Sequence, residues 1–316
     1  MHKKYSLIIF ISLFSILTGS FCVNYYVDPL NIFGNKYVDI IYRQNERELK
    51  SIYLQKNKKK FNTVIIGSSR TSYIPVSSYG NLTIFNYSMS GICIEEYIEY
   101  LNFFAETQGE PSVIFLSFDF HTSNNNYGKP ADSRKIIDFT KSKIKPIFYY
   151  FTLNTLKNSL DVILQSRDDL TEYYNRDIIK HRVNTNIPLT DESIKNTLDE
   201  YTYNYLKRYE YREDYKKFLL TIRNRFPHSR IIVIICPVHD SLFNWTIQMI
   251  SDKHYGRWIN DIKDIFDEIY DFSGRESITT NRMNFFDAAH FYPSVGDKIM
   301  TEIFQEMYKP KSADNA

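Results

Sequence analysis

Val64-Ile65-Ile66, running into Gly67, is an unbroken apolar stretch too short for a helix and lacking the alternation of a strand with one wet face. Such a run predicts a strand buried on both sides, as in a parallel sheet with helices over each face. The pattern recurs along the chain. Leu82 to Tyr87, Val113 to Phe118, Ile231 to Ile235 and Ile269 to Phe272 are further candidate strands, and an amphipathic stretch from Ile94 to Thr107 suits a crossover helix between the second and third. Strands separated by helical stretches form βαβ units, so the expected fold is α/β, with about five parallel strands.

Between the third and fourth strands, over about residues 132–225, no strand signal appears, and the composition turns to Tyr, Asn, Lys and Asp. This region reads as a helical insertion. Ile194, Leu198, Tyr201, Tyr205, Leu219, Ile222 and Phe226 follow helical spacing, and Thr190-Asp191-Glu192 supplies an N-cap with acidic residues in the first turn. The aromatic stripe reads as packing rather than as a carbohydrate platform.

Tyr5 to Val27 contains no charged residue, which is about the length needed to cross a hydrocarbon core. Lys3 and Lys4 precede it and Asp28 follows, so the positive-inside bias puts the short N-terminus in the cytoplasm and the remainder outside. Thr18-Gly19-Ser20 would also suit a signal-peptide cleavage site, which is the rival reading. The expected organisation is an anchor (1–27), a juxtamembrane segment opening on an Asp28-Pro29 turn (28–61), the α/β domain with its insertion (62–310) and a tail (311–316). A net charge of +2 with mixed signs argues against a nucleic-acid partner. Cys22, Cys93 and Cys236 do not make a disulfide framework, and the last two read as small buried side chains.

In an open parallel sheet the reactive groups gather beyond the carboxyl ends of the strands. Ser68 and Ser69 follow the first strand, Gly91 the second, Asp119 and His121 the third, His239 and Asp240 the fourth, and Asp287 and His290 the fifth. A serine hydroxyl is a poor nucleophile at neutral pH; it needs a base within hydrogen-bond reach and a third group fixing that base's tautomer. The pair in Asp287-Ala288-Ala289-His290 can supply both. Gly67-Ser68-Ser69-Arg70-Thr71 lacks the second glycine of the G-x-S-x-G elbow, so the α/β-hydrolase form of a triad is not supported. A metal site built from Asp119, His121, His239, Asp287 and His290 is the rival chemistry, but neither H-E-x-x-H nor a cysteine-based zinc pattern occurs, and no metal or cofactor is expected.

The order of these blocks resembles the SGNH/GDSL hydrolase superfamily, which implies a flavodoxin-like three-layer sandwich. The resemblance makes Ser69 the nucleophile, His290 its base and Asp287 the orienting carboxylate, with the N–H groups of Ser69 and Gly91 in an oxyanion hole. Where that superfamily has an Asn in its third block, this chain reads Ser117-Phe118-Asp119-Phe120-His121. That leaves three readings: a hole of Ser69 and Gly91 alone, an amide such as Asn124 reaching in, or an inactive site. Arg70 would hold an anionic substrate group or pair with Asp119, and His239 would be a substrate-loop contact or plain surface.

The likeness is nearest to membrane-anchored SGNH-like proteins of bacterial envelopes, through Asp28-Pro29, Gly67-Ser68-Ser69-Arg70 and His290-Phe291-Tyr292-Pro293-Ser294-Val295-Gly296. It implies a single-pass protein of the inner membrane whose periplasmic domain acts on an acylated envelope polysaccharide as an esterase or O-acyltransferase. The alternative it leaves is an inactive glycan-binding or assembly partner of a membrane acyltransferase.

Overall fold

The strand residues Val64, Ile65 and Ile66 expose no surface at all. The computed structural model describes residues 2–35, 37–42, 44–75, 78–164, 170–185 and 187–309. In chain order its strands are β1 (Thr63–Ile66), β2 (Ser78–Tyr79), β3 (Leu82–Asn86), β4 (Val113–Ser117), β5 (Glu172–Tyr174), β6 (Lys180–Arg182), β7 (Arg230–Ile235), β8 (Ile269–Asp271), β9 (Phe285–Asp287) and β10 (His290–Phe291). By chain contacts the molecule divides into two units, Met1–Lys58 with Arg134–Val183 and Lys59–Ser133 with Asn184–Ala316.

The second unit carries a six-stranded sheet in the order β2-β3-β1-β4-β7-β8. Every pairing is parallel except the two-residue edge strand β2, which runs antiparallel to β3. The five parallel strands are those expected from the apolar runs, and their order β3-β1-β4-β7-β8 is that of flavodoxin-like sheets. β2 had no apolar run to betray it, since both its residues are exposed.

Side chains alternate across a strand, so each strand serves two cores. Ile65, Phe115, Ile232 and Ile234 pack in one cluster with Val295, Ile299 and Ile303 of the C-terminal helix Pro293–Met307. Their neighbours Val64, Ile66, Ile114, Leu116 and Val233 are equally buried on the opposite face. That side is covered by the helix Ile94–Gln108, which buries Tyr97, Tyr100, Leu101 and Phe104 and fixes itself through a Tyr97 hydroxyl donating to the Ser117 carbonyl at 2.7 Å. Its N-terminus is closed by Glu96, which accepts the Cys93 N–H at 3.0 Å. Cys93 and Cys236 are buried and are not joined in a disulfide.

The stretch 132–225, expected to be a helical insertion without strands, is helical in part. Leu153–Leu164, Asp191–Tyr201 and Tyr215–Arg225 are helices, and Thr190 caps the second by accepting the Ser193 N–H at 3.1 Å. Within the stretch, however, β5 and β6 form an antiparallel ribbon. Its turn is made by the Asn175 side chain, which accepts the N–H groups of Asp177 and Ile179 at 3.0 Å each. Its strands are stabilised by charge rather than apolar alternation, with Lys180 paired to Glu172 at 3.1 Å and Glu46 at 3.2 Å, so hydropathy gave no strand signal.

The first unit is organised around the helix His2–Val27, whose apolar span from Lys3 to Val27 is long enough to cross a membrane. The Asp28 turn read from the sequence is a dense corner. Its carboxylate accepts the N–H groups of Ile32 at 2.8 Å, Phe33 at 3.2 Å and Asn35 at 2.9 Å, and also the Tyr150 hydroxyl. Arg176 donates to the carbonyls of Val27, Asp28 and Val38.

Gly67 ends β1 where no side chain fits: a Cβ there would lie 2.3 Å from Thr71 Oγ1 and 2.8 Å from Ser117 Cβ. Gly67→Ala is therefore expected to cost about 1–3 kcal/mol through overpacking. Chemical denaturation checks it, and an unchanged midpoint would contradict this account of the β1–β4 approach.

Candidate active site

β1 delivers the chain to the sheet's switch point, where successive connections leave β1 and β4 on opposite sides and a crevice opens at their carboxyl ends. After Gly67 the backbone turns sharply. The Ser68 carbonyl accepts the Ser72 N–H at 3.3 Å and the Thr71 hydroxyl at 3.2 Å, while the Ser72 hydroxyl donates to the Ser69 carbonyl at 2.6 Å. The turn buries Ser68 and leaves Ser69 half-buried at the crevice.

The Asp287-to-His290 segment is folded back on itself by the pairing of β9 with β10, in which His290 faces Asp287. Asp287 Oδ1 accepts the N–H groups of Ala289 at 2.8 Å and His290 at 2.9 Å, so the carboxylate holds its own turn. Ala288 and Ala289 are buried, which explains the small side chains between the two polar ones. Further along, a Cβ on Gly296 would meet the Tyr73 carbonyl at 3.0 Å and Ile74 Cα at 3.1 Å. This glycine lets the C-terminal helix press against the turn that follows Ser69, and Pro293 sits in that helix's first turn.

The two segments meet. Ser69 Oγ lies 2.8 Å from His290 Nε2, and His290 Nδ1 lies 2.9 Å from each Asp287 carboxylate oxygen. The imidazole stacks on Phe286, with ring centres 5.6 Å apart and planes 5° from parallel. Burial alone would raise the Asp287 carboxyl, but the His290 hydrogen bond and charge, with the two backbone N–H donors, hold it below the ordinary value. It is thus ionised and oriented toward Nδ1, which places the basic lone pair of a neutral ring at Nε2, facing the hydroxyl.

Ser69, Gly91, Asp287 and His290 line one cleft of about 390 Å³. Gly91 has a φ of +62°, a left-handed backbone that favours glycine. The same cleft is lined by Ser193, Asn196, Thr197 and Glu200 of the helix Asp191–Tyr201, and by an aromatic wall of His121, Tyr127, Tyr201 and Tyr205.

Arg70 and Asp119 pair with each other rather than facing the cleft as substrate ligands. Arg70 Nη1 donates to Asp119 Oδ1 at 2.7 Å, with side chains 8% and 2% exposed. Burial would raise the Asp119 carboxyl, but the Arg70 charge, with smaller help from His121 and Ser68, holds it below the ordinary value. The carboxylate standing where an amide was expected is therefore neutralised by a neighbour.

Two sequence candidates lie elsewhere. Asn124 was a candidate to reach into the oxyanion hole, but its amide donates to the Tyr205 carbonyl at 2.9 Å and its oxygen accepts the N–H groups of Asn126 and Glu210 at 3.0 Å, so it ties loops together. His239 was a candidate substrate contact, but it caps the helix Asp240–Ile250 through Nδ1 and lies outside the cleft lining. Its backbone N–H donates to the Ala288 carbonyl at 2.9 Å, so it supports the Asp287 turn from behind. Among the described residues no group of three or more His, Cys, Asp or Glu side chains could hold a metal ion.

Sequence reasoning missed Tyr201, whose hydroxyl accepts from Arg70 Nη2 at 2.6 Å. Its helical spacing signalled packing, and it does pack against the core; nothing in that spacing marks a polar task at the ring's tip. His121 was seen as a metal candidate, whereas it forms part of the aromatic wall, 4.7 Å between ring centres from Tyr127 and 4.8 Å from Tyr205.

No protein-family model matches the sequence, and a search of curated proteins finds no match. Among solved structures, a Streptococcus pneumonia protein provisionally named a platelet activating factor aligns with a TM-score of 0.40 and 12% identity, over 84% of this chain and 92% of its own. A gut microbial diltiazem-metabolizing enzyme aligns with a TM-score of 0.33 and 12% identity, over 79% of this chain and 47% of that one. At this distance neither likeness assigns a role to any residue.

Replacing Asp119 by Ala strands the Arg70 charge in the interior and is expected to cost about 3–5 kcal/mol, read by chemical denaturation. Because the folded Asp119 value is depressed, its contribution is complete above the unfolded carboxyl value of about 4 and fades as pH falls below it. The stability gap between wild type and Asp119→Ala should accordingly narrow on acidification; a gap independent of pH would contradict the ion pair.

Proposed function

We propose that the protein is an extracytoplasmic serine esterase or O-acyltransferase that acts on acyl esters of a cell-envelope polysaccharide. The observation that carries the chemistry is the hydrogen-bonded chain from Ser69 through His290 to Asp287 at the mouth of a cleft. Support for a sugar substrate comes from the cleft's lining, which combines polar side chains of one helix with tyrosine rings.

In this reading Ser69 Oγ attacks the ester carbonyl carbon as His290 Nε2 takes its proton, and Asp287 stabilises the imidazolium that forms. His290 then returns the proton to the departing alcohol oxygen, leaving an acyl group on Ser69. Water or a sugar hydroxyl, deprotonated by His290, attacks that acyl carbon; the Ser69 oxygen leaves and recovers its proton. Water makes the protein an esterase and a sugar hydroxyl makes it a transferase.

The oxyanion formed at each attack needs donors. The N–H groups of Ser69 and Gly91 are assigned here, and His121, which lines the same cleft, is proposed as a third donor. It lies on the Gly91 side of the cleft: the Tyr127 hydroxyl is 4.0 Å from where a Gly91 Cβ would stand, and the His121 ring packs on Tyr127. Burial pulls His121 down to about 4, against the opposing charge of Asp119 and with smaller help from those of Arg70 and His290. It is therefore a neutral imidazole at physiological pH, carrying an N–H donor in place of the missing amide.

Hydrolysis of a small aryl acetate by the purified protein tests the reading, and Ser69→Ala and His290→Ala should each remove nearly all activity. Equal low rates in all three proteins would favour the alternative, a glycan-binding or assembly partner without catalysis. His121→Phe, which keeps the ring packing and deletes the donor, should lower kcat about 10²–10³-fold with little change in KM. His121→Gln, which keeps a donor, should lose much less.

A further inference from the structure

The helix Leu153–Leu164 has its chemistry inside out. Its face against the rest of the first unit is Thr155, Ser159 and Val162, which are buried, while Leu153, Leu160, Ile163 and Leu164 are 64%, 39%, 46% and 79% exposed. A surface helix in water does the reverse, turning leucines inward and hydroxyls outward. The element it packs on is the N-terminal apolar helix, on whose outer part Ser20 and Asn24 are buried. The Asn24 amide donates to the Tyr150 carbonyl at 2.9 Å, and Phe21 stacks on Phe151 with ring centres 4.8 Å apart. Small and polar residues between two helices, with aliphatic residues outward, are the arrangement of helices that meet in lipid.

We propose that the Leu153–Leu164 helix and the turn before it are a second membrane contact, lying in the outer lipid–water interface beside the N-terminal helix. Twelve residues make a helix about 18 Å long, too short for a hydrocarbon core of about 30 Å, so it lies along the surface rather than crossing. The preceding turn fits the same place. Ile144 and Phe148 are each 63% exposed, and Lys143 and Lys145 stand beside them, the pairing of apolar and basic side chains that anionic head groups attract. Tyr25 and Tyr26, 40% and 47% exposed near the outer end of the N-terminal helix, add aromatic rings at the depth where such rings collect. The same packing says that the N-terminal helix is a retained anchor. Cleavage near Thr18-Gly19-Ser20 would cut through the buried contact that the second helix needs.

The test uses the full chain, with Cys22→Ser to remove the exposed native thiol, in vesicles of phosphatidylglycerol and phosphatidylethanolamine with brominated acyl chains. An environment-sensitive fluorophore is attached at Leu160→Cys, Leu164→Cys or, on the polar side of the same helix, Asn154→Cys. Bromine should quench the labels at 160 and 164 several-fold more than the label at 154. Phe148→Cys supplies an independent site, expected to be quenched as well, if a helix variant fails to fold. Equal quenching at all positions, or none at 148, 160 and 164, would overturn the proposal, as would protection of these positions only in the presence of a co-purified membrane protein.

Discussion

One buried cation ties the candidate site together. The Arg70 guanidinium, one residue past Ser69, donates to Asp119 beyond β4, to the Ala289 carbonyl within the Asp287–His290 turn at 3.0 Å, and to the Tyr201 hydroxyl on the far wall. Three chain segments distant in sequence thus converge on one planar group. A fork of donors with fixed geometry suits that task in a way a flexible ammonium would not. The arrangement also accounts for the acid at 119: its role is to neutralise the cation that positions the serine and histidine loops. A buried charge pair contributes little net stability against an apolar equivalent, so its value here lies in fixing one geometry.

That geometry sets the chemistry. Ser69 and His290 are 221 positions apart, and their 2.8 Å approach requires both the β1 turn and the β9–β10 turn to be held in register. Glycine at 67 and at 296 allows the close contacts on either side of the serine turn, and the Asp287 carboxylate closes its own loop before it orients the imidazole. On the side proposed for the oxyanion, His121 packs among tyrosines and burial keeps its imidazole neutral.

Much of this was legible in the residues. The five parallel strands announced themselves because strands buried on both faces must be apolar throughout, and the candidate residues after the strands include Ser69, Gly91, Asp287 and His290, which line one cleft. The Asp287-x-x-His290 spacing was readable because both groups sit in one short turn. Other features had no local signature. The Glu172–Tyr174 and Lys180–Arg182 ribbon is held by ion pairs and a side-chain turn, and β2 is a two-residue edge. Asn124 and His239 sit at suggestive positions, yet their hydrogen bonds go to loop backbone and a helix cap, partners that lie 81 and 86 residues away for Asn124 and two residues away for His239. The polarity of the Leu153–Leu164 helix likewise has no meaning until its packed face is known.

The central claim is that Ser69 is a nucleophile activated by His290. Mass spectrometry of the protein after exposure to a fluorophosphonate, which phosphonylates activated serines, tests it most directly. One adduct confined to Ser69, and absent from folded His290→Ala protein, is the expected result. A folded wild-type protein that stays unmodified, or that reacts at a different serine, would contradict it.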